Sequence, residues 1–248
     1  MSPTNNPQVC AICLTADRQA LTDRAVRCFL AQTYRPSVLL IYDTGKKKYQ
    51  TQGLATSRIV HVYDGPEMSG PIGKLRNTAN SLTIPTTEVL IHWDSDDLSG
   101  PYRIQDQVAS LQESGRDCVG YNNVLFWRRI IGQNDESHEA WVYNRINPPK
   151  PIGGSLCYWR RVWERVKFRD DYPRPGGGMG EDTAWLQFVD SKAYSTLPER
   201  DTSNLPLVCE IHGGNTTSYD IEAQKERGDT WWTRVPDWDA RLQSLMAL

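Results

Sequence analysis

The chain has 248 residues, with 28 Lys and Arg against 30 Asp and Glu, so its formal net charge is -2. That length can bury one sizeable α/β core, and the near balance of charge excludes a global basic field that would draw the protein to nucleic acid or to an anionic membrane, leaving only a local basic patch open. No stretch reaches the roughly 20 apolar residues of a membrane-spanning helix and no apolar run follows a positive start, so a cytoplasmic protein with no membrane span is expected.

In chain order, QVCAICL (8–14) is a short apolar strand, and Leu21, Ala25, Phe29 and Leu30 place a helix over 20–31. SVLLIYD (37–43) and RIVHVYD (58–64) are further strands, GKLRNTANSL (73–82) a helix, and EVLIHWD (88–94) the most continuous buried strand. This β-α-β-β-α-β order points to a largely parallel sheet covered by helices. Ser99-Gly100-Pro101 starts a helix with an apolar stripe at Ile104, Val108 and Leu111, and DCVGYNNVLFW (117–127) returns as one strand. Residues 132–151 read as a polar loop or hairpin, SLCYWRRVWERV (155–166) is amphipathic, PRPGGGMG (173–180) is loop, and a helix opens at Glu181. With no internal repeat or low-complexity linker, one domain is expected. The six cysteines are scattered and expected as free thiols; Cys10 and Cys13 lie three apart in a strand, on opposite faces, where they do not readily share a zinc ion.

The chemistry concentrates at Asp94-Ser95-Asp96-Asp97, directly after a buried strand, where open α/β sheets place their ligands. Three neighbouring carboxylates repel one another unless a cation is present, and hard oxygen donors suit Mg²⁺ or Mn²⁺. The competing reading is a solvated acidic turn capping the next helix. A calcium EF-hand counted from Asp94 fails, with Leu98 at a ligand position, Ser99 in place of glycine and Gln105 in place of the bidentate glutamate. Neither a P-loop nor a dinucleotide fingerprint is present, since Gly73-Lys74 is followed by Leu75 and the first strand leads into TADR.

Taken in order, QVCAICLTADR, SVLLIYDTG, GKLRNTAN, EVLIHWDSDD, GGSLCYWRRVWERV, GEDTAWL and IHGGNTT, spanning residues 8 to 218, resemble the successive blocks of family 2 glycosyltransferases. The resemblance implies a GT-A fold: a mostly parallel sheet flanked by helices, with a Rossmann-like nucleotide-sugar half (8–100), an acceptor and catalytic half (101–218) and a C-terminal extension (219–248). It implies that Thr15, Asp17, Arg18 and Asp43 contact the base and ribose of a nucleotide-sugar donor, with UDP the expected nucleotide. This chain has Asp-Thr-Gly at Asp43 where many relatives have Asp-Asp-Gly. Arg76 matches an arginine near the donor, and Lys74 is either a second cation for the diphosphate or a solvated helix residue. The resemblance further implies that Asp94 supports the donor, Asp96 contacts sugar or metal, and Asp97 and His212 hold Mn²⁺ or Mg²⁺. Asp182 is implied as the general base, with Glu181 the second candidate, although carboxylates at a helix start are favoured by the dipole alone. The PGGGMG segment is expected as a lid over donor.

The implied reaction is inverting transfer of a sugar to an acceptor hydroxyl. The acceptor is open between a glycan, a lipid-linked sugar and a hydroxylated nucleic-acid base, as is the oligomeric state. A binding module that has lost turnover is the alternative of a different class. Arg128, Arg129, Arg160 and Arg161 beside Trp127, Trp159 and Trp163 form either a nucleic-acid surface or core tryptophans with solvated arginines. The tail bearing Trp231, Trp232 and Trp238 is expected to pack on the domain, cover the acceptor site or make a dimer contact.

Overall fold

The computed structural model describes residues 6–131, 136–144, 149–171, 180–194, 205–213, 221 and 231–236. Two continuous apolar runs form the centre: β1 (Val9–Thr15) and β2 (Ser37–Asp43) pair in parallel from Val9 opposite Ser37 to Thr15 opposite Asp43. Their near-complete burial explains why they read as unbroken runs rather than alternating ones. β3 (Ile59–Tyr63) adds in parallel outside β2, and as an edge strand it stays partly exposed. On the other side β4 (Val89–His92) pairs in parallel with β1, Ile12 opposite His92, so the chain leaves β1, β2 and β4 along one edge of the sheet.

The helices are set by spacing. α1 (Gln19–Leu30) buries Thr22, Ala25, Val26 and Phe29, α2 (Ile72–Ser81) begins after Pro71, and α3 (Arg103–Ser114) ends at Gly115, whose φ of 64° supplies the left-handed cap. Across α1, Trp93 donates its indole N–H to the Ala25 carbonyl at 3.0 Å and meets the Phe29 ring edge-on at 5.8 Å. The segment just after β4 is thereby fixed against the helix that follows β1.

Beyond α3 the structure departs from the expected single strand over 117–127. It divides at Asn122 into β6 (Cys118–Tyr121) and β7 (Asn123–Ile131), which belong to different sheets. The Tyr121 carbonyl is taken by the Ile152 amide, and the Asn122 amide donates to Tyr194, so the ladder changes partners there. With β5 (Leu98–Ser99), β8 (Glu136–Asn144), β9 (Cys157–Trp159), β10 (Ser191–Tyr194), β11 (Leu207–Glu210) and β12 (Trp232–Val235), two sheets form, in the orders β10-β6-β9-β4-β1-β2-β3 and β12-β8-β7-β11-β5. In the larger sheet β9 pairs antiparallel with both β4 and β6, and the other pairings are parallel. The expected mostly parallel central sheet of an α/β fold is thus found, with one reversed strand, beside a smaller sheet in which only β11 and β7 pair in parallel.

The polar stretch over 132–151 contributes β8, which forms an antiparallel hairpin with β7. Of the tail, β12 pairs with β8 and buries Trp232 against Phe126 and Tyr143, so this part packs on the domain; Trp238 lies outside the described residues. α4 (Arg160–Arg165) follows β9, and α5 (Glu181–Trp185) is a single short helix whose Trp185 is core. All six cysteines are free and buried. Among the described residues no helix is long and apolar enough to cross a membrane.

Phe29 is fully buried between α1 and the sheet. Phe29→Ala is expected to lower unfolding free energy by about 3–5 kcal/mol, the range for emptying an aromatic site in a core, measured by urea denaturation.

Candidate active site

The acidic segment lies where β4 runs out, and each of its carboxylates meets a different partner. Asp96 Oδ2 accepts from Arg18 Nη1 at 2.9 Å and lies 3.0 Å from His212 Nε2, while the Asp96 carbonyl accepts from Arg24 at 2.6 Å. Asp97 is buried, and its Oδ2 accepts the Cys209 thiol at 3.2 Å. Asp94, 32% exposed at its side chain, faces Arg76 Nη2 at 3.6 Å, and the same guanidinium donates through Nε to Glu181 at 3.1 Å. Five stretches distant in sequence therefore converge here: the loop after β1 together with α1, then α2, the end of β4, the start of α5 and the residues around β11.

Burial raises the proton affinity of Asp94 and, far more, of Asp97, where Asp94 and Asp96 add repulsion. Such a cluster favours a bound cation. Arg76, itself buried, is held charged by Asp94 and Glu181 against the desolvation that opposes its charge, and its Nη1 is a buried donor with no hydrogen-bond partner among the described residues.

Asp182 lies beside this cluster, across a glycine turn. The 3₁₀ turn Gly153–Ser155 passes so close beneath the carboxylates that a Cβ on Gly153 would lie 1.3 Å from Asp182 Oδ2, and one on Gly154 2.8 Å from Asp94 Oδ2 and 3.4 Å from Asp97 Oδ2. A Cβ at Gly153 would displace the Asp182 carboxylate from its place, and one at Gly154 would press on Asp94. Desolvation and the neighbouring Glu181 push the Asp182 carboxyl up to about 6, partly offset by the Thr183 amide, which donates to Oδ1.

The expected base-binding residues form a second group. Gly45 separates Asp17 from Asp43: a Cβ there would lie 2.6 Å from the Asp17 amide and 3.1 Å from Asp43 Oδ1. Asp43 is buried and accepts from the Gly45 and Tyr49 amides, and Asp17, at φ 55°, accepts from the Lys46 and Lys47 amides, which lower its proton affinity. Thr15 shares a hydroxyl contact of 2.7 Å with Thr22. Lys74 is exposed on α2. The PRPGGGMG segment before Gly180, with its expected lid, lies outside the described residues, as does Gly214–Thr217 of the HGGNTT block. Trp127, Trp159 and Trp163 are buried, so the arginines near them lack exposed tryptophan partners for stacking bases; Arg128 instead pairs with Glu139 and Arg160 with Glu164.

Arg24, Cys209, Gly153 and Gly154 complete the site without having been singled out from sequence. The Gly-Gly pair opens one of the quoted blocks, and two adjacent glycines before an apolar run signal a close backbone approach; nothing in the pattern distinguishes Arg24 or Cys209. Among the described residues no group of three or more His, Cys, Asp and Glu is arranged to hold a metal ion. In donor chemistry, the carboxylates of Asp96 and Asp97 with the His212 imidazole suit a divalent ion of the Mg²⁺ or Mn²⁺ kind, and the cation now on Asp96 is Arg18.

No family model matches the sequence, and no curated protein matches it either. Solved structures do match. Mannosyltransferase PcManGT from Pyrobaculum calidifontis, in complex with GDP-Man and Mn²⁺, is 14% identical with a TM-score of 0.59, the alignment covering 97% of this chain and 69% of that one. S. aureus TarS 1-349 in complex with UDP-GlcNAc is 12% identical with a TM-score of 0.55, covering 88% and 64%, and a further TarS 1-349 structure is 11% identical with a TM-score of 0.52, covering 82% and 60%. The chain thus spans about three-fifths of the TarS 1-349 structures. The likeness shows the fold, which is the GT-A-like one.

Arg76→Met would leave Asp94 and Glu181 without the cation between them, and a loss of about 3–5 kcal/mol at neutral pH is expected, as for breaking a buried pair. Asp94, whose proton affinity burial raises and Arg76 offsets, would then bind its proton more tightly folded than unfolded, so the deficit shrinks as pH falls. Urea denaturation of both proteins across pH checks the magnitude and the sign.

Proposed function

We propose that this protein is a glycosyltransferase that moves a sugar from a nucleotide-diphosphate sugar to an acceptor hydroxyl with inversion. The observation that carries the reading is the placement of the Asp182, Asp94 and Asp97 carboxylates against the two adjacent glycines of one turn. A donor-holding cluster and a candidate base within reach of one small space are what a single displacement requires. The fold shared with structures holding UDP-GlcNAc and GDP-Man supports a nucleotide-sugar donor.

In this reading residues 8–100 bind the donor and 101–218 supply the acceptor side and the base. Thr15, Asp17 and Asp43 shape the loop that receives the base and ribose, and Lys74 adds a cation at the rim. Arg18 and Arg76 offer guanidinium donors to the diphosphate, with the spare Nη1 of Arg76 one such donor. Asp96, Asp97 and His212 would hold Mn²⁺ or Mg²⁺, which when bound stabilises negative charge on the departing nucleotide diphosphate. UDP is the nucleotide we favour.

Asp182 accepts the acceptor hydroxyl proton as that oxygen forms its bond to the anomeric carbon. The bond from that carbon to the diphosphate oxygen breaks on the opposite side, and its electron pair leaves with the nucleotide diphosphate. Asp94 and Glu181 keep Arg76 charged and in place, while Glu181 also raises the proton affinity of Asp182 toward the working range of a general base. A purely binding role would not require a carboxylate tuned in this way.

The base must be ionised to act, so turnover should rise with pH through about 6 and level off above it. Asp182→Asn should abolish turnover while nucleotide binding persists. Release of UDP from UDP-GlcNAc and of GDP from GDP-mannose, followed with candidate acceptors across pH, tests both. Wild-type turnover by Asp182→Asn would move the base elsewhere, to Glu181 first.

A further inference from the structure

The glycine turn beneath the carboxylates is held from its other side by side chains that the proposed chemistry does not use. The Gly153 carbonyl accepts from His92 Nδ1 at 2.8 Å, the Gly154 carbonyl from Arg103 Nη2 at 2.6 Å, and the Ser155 carbonyl from Gln107 Nε2. The preceding Ile152 carbonyl accepts from the Ser155 hydroxyl at 2.7 Å. Four successive carbonyls are thus fixed by side chains, while the Cα atoms of Gly153 and Gly154 back onto Asp182 and Asp94.

Arg103 is the costliest member of this set. It is fully buried, and it opens α3, where the helix dipole disfavours a cation. A guanidinium does not escape that cost by losing its proton. Its hydrogen bonds go to neutral oxygens: the His92 and Gly154 carbonyls from Nη2, Ser99 Oγ from Nη1 at 2.8 Å, and Gln107 Oε1 from Nε at 3.2 Å. It also stacks over Trp93 at 4.9 Å. One rigid fork therefore joins the last residue of β4, the strand β5 that follows the acidic segment, and the turn that carries the two glycines.

We infer that Arg103 is a positioning residue: its fork ties the end of β4 to the Gly153–Ser155 turn and so fixes the spacing between the Asp94 side and the Asp182 side of the site, with His92 and Gln107 as its partners. This rests on the glycosyl-transfer reading for its consequence, though the clamp itself is a property of the fold. A lysine keeps the charge but is a point donor on a flexible stem, which cannot reproduce the planar fork.

The test compares wild type with Arg103→Lys and with Gln107→Met by hydrogen exchange, calorimetry with UDP and Mn²⁺, and release of UDP from UDP-GlcNAc or of GDP from GDP-mannose. In Arg103→Lys, amides of the 152–156 peptide are expected to exchange faster by about ten-fold or more, with β1 and β2 peptides unchanged. UDP affinity is expected to stay as in wild type while turnover falls about a hundred-fold, the scale of a 1 Å misplacement. Wild-type protection of the turn together with wild-type turnover would overturn the inference. Protection lost evenly across the sheet would also overturn it, since that marks a general structural role. If Arg103→Lys does not fold, Gln107→Met, which frees the Ser155 carbonyl and Arg103 Nε and leaves the other three bonds of the fork in place, decides by the same readings. A wild type that binds no nucleotide would sink the transferase reading, and the exchange data would still decide the clamp.

Discussion

Carboxylates cannot be gathered at the end of one buried strand unless positive charge is gathered with them. Asp94, Asp96 and Asp97 lie together at the end of β4, and burial alone would drive Asp94 and Asp97 toward protonation. Arg18 meets Asp96, Arg76 meets Asp94 and Glu181, and Arg103 lies buried beneath, bonded to the backbone on which the acidic segment stands. Each arginine comes from a different element, so the acid cluster brings the loop after β1, α2 and α3 to one place. The parallel pairing of β1, β2 and β4 makes this possible, because it brings their carboxyl ends to the same edge.

The same constraint shapes the other half of the site. Asp182 stands at the start of α5, joined to the cluster through Glu181 and Arg76 and separated from Asp94 by a turn without side chains at its two closest residues. A larger residue at Gly153 would occupy the position of the Asp182 carboxylate. The chemistry proposed for the site therefore depends on a piece of backbone as much as on the acids, and that backbone is held by buried polar side chains.

Much of this was legible in the sequence, and for identifiable reasons. Continuous apolar runs gave β2 to the residue and β1 and β4 nearly so, because buried parallel strands carry no alternation to misread. The acidic segment was legible because three carboxylates in four residues have few inexpensive explanations. The division at Asn122 was not, since CVGYNNVLF keeps one strand-like composition across a point where the hydrogen-bond partners change. Nor was the reversal of β9, because pairing direction is a tertiary property. Arg103 and Gln107 leave a fainter trace: they stand four apart on α3, each preceding a member of the stripe Ile104, Val108 and Leu111, and polar residues beside a buried stripe call for buried partners.

The central claim is that the cluster after β4 binds a nucleotide diphosphate through a divalent cation. The most direct test is calorimetric titration of the purified protein with UDP, GDP and dTDP, with Mn²⁺ and with chelator, on wild type and Asp97→Ala. The account predicts binding of one nucleotide that requires the metal and disappears in the variant. Absence of binding to any of the three with Mn²⁺ present would contradict it and leave Asp94–Asp97 as an acidic turn balanced by arginines.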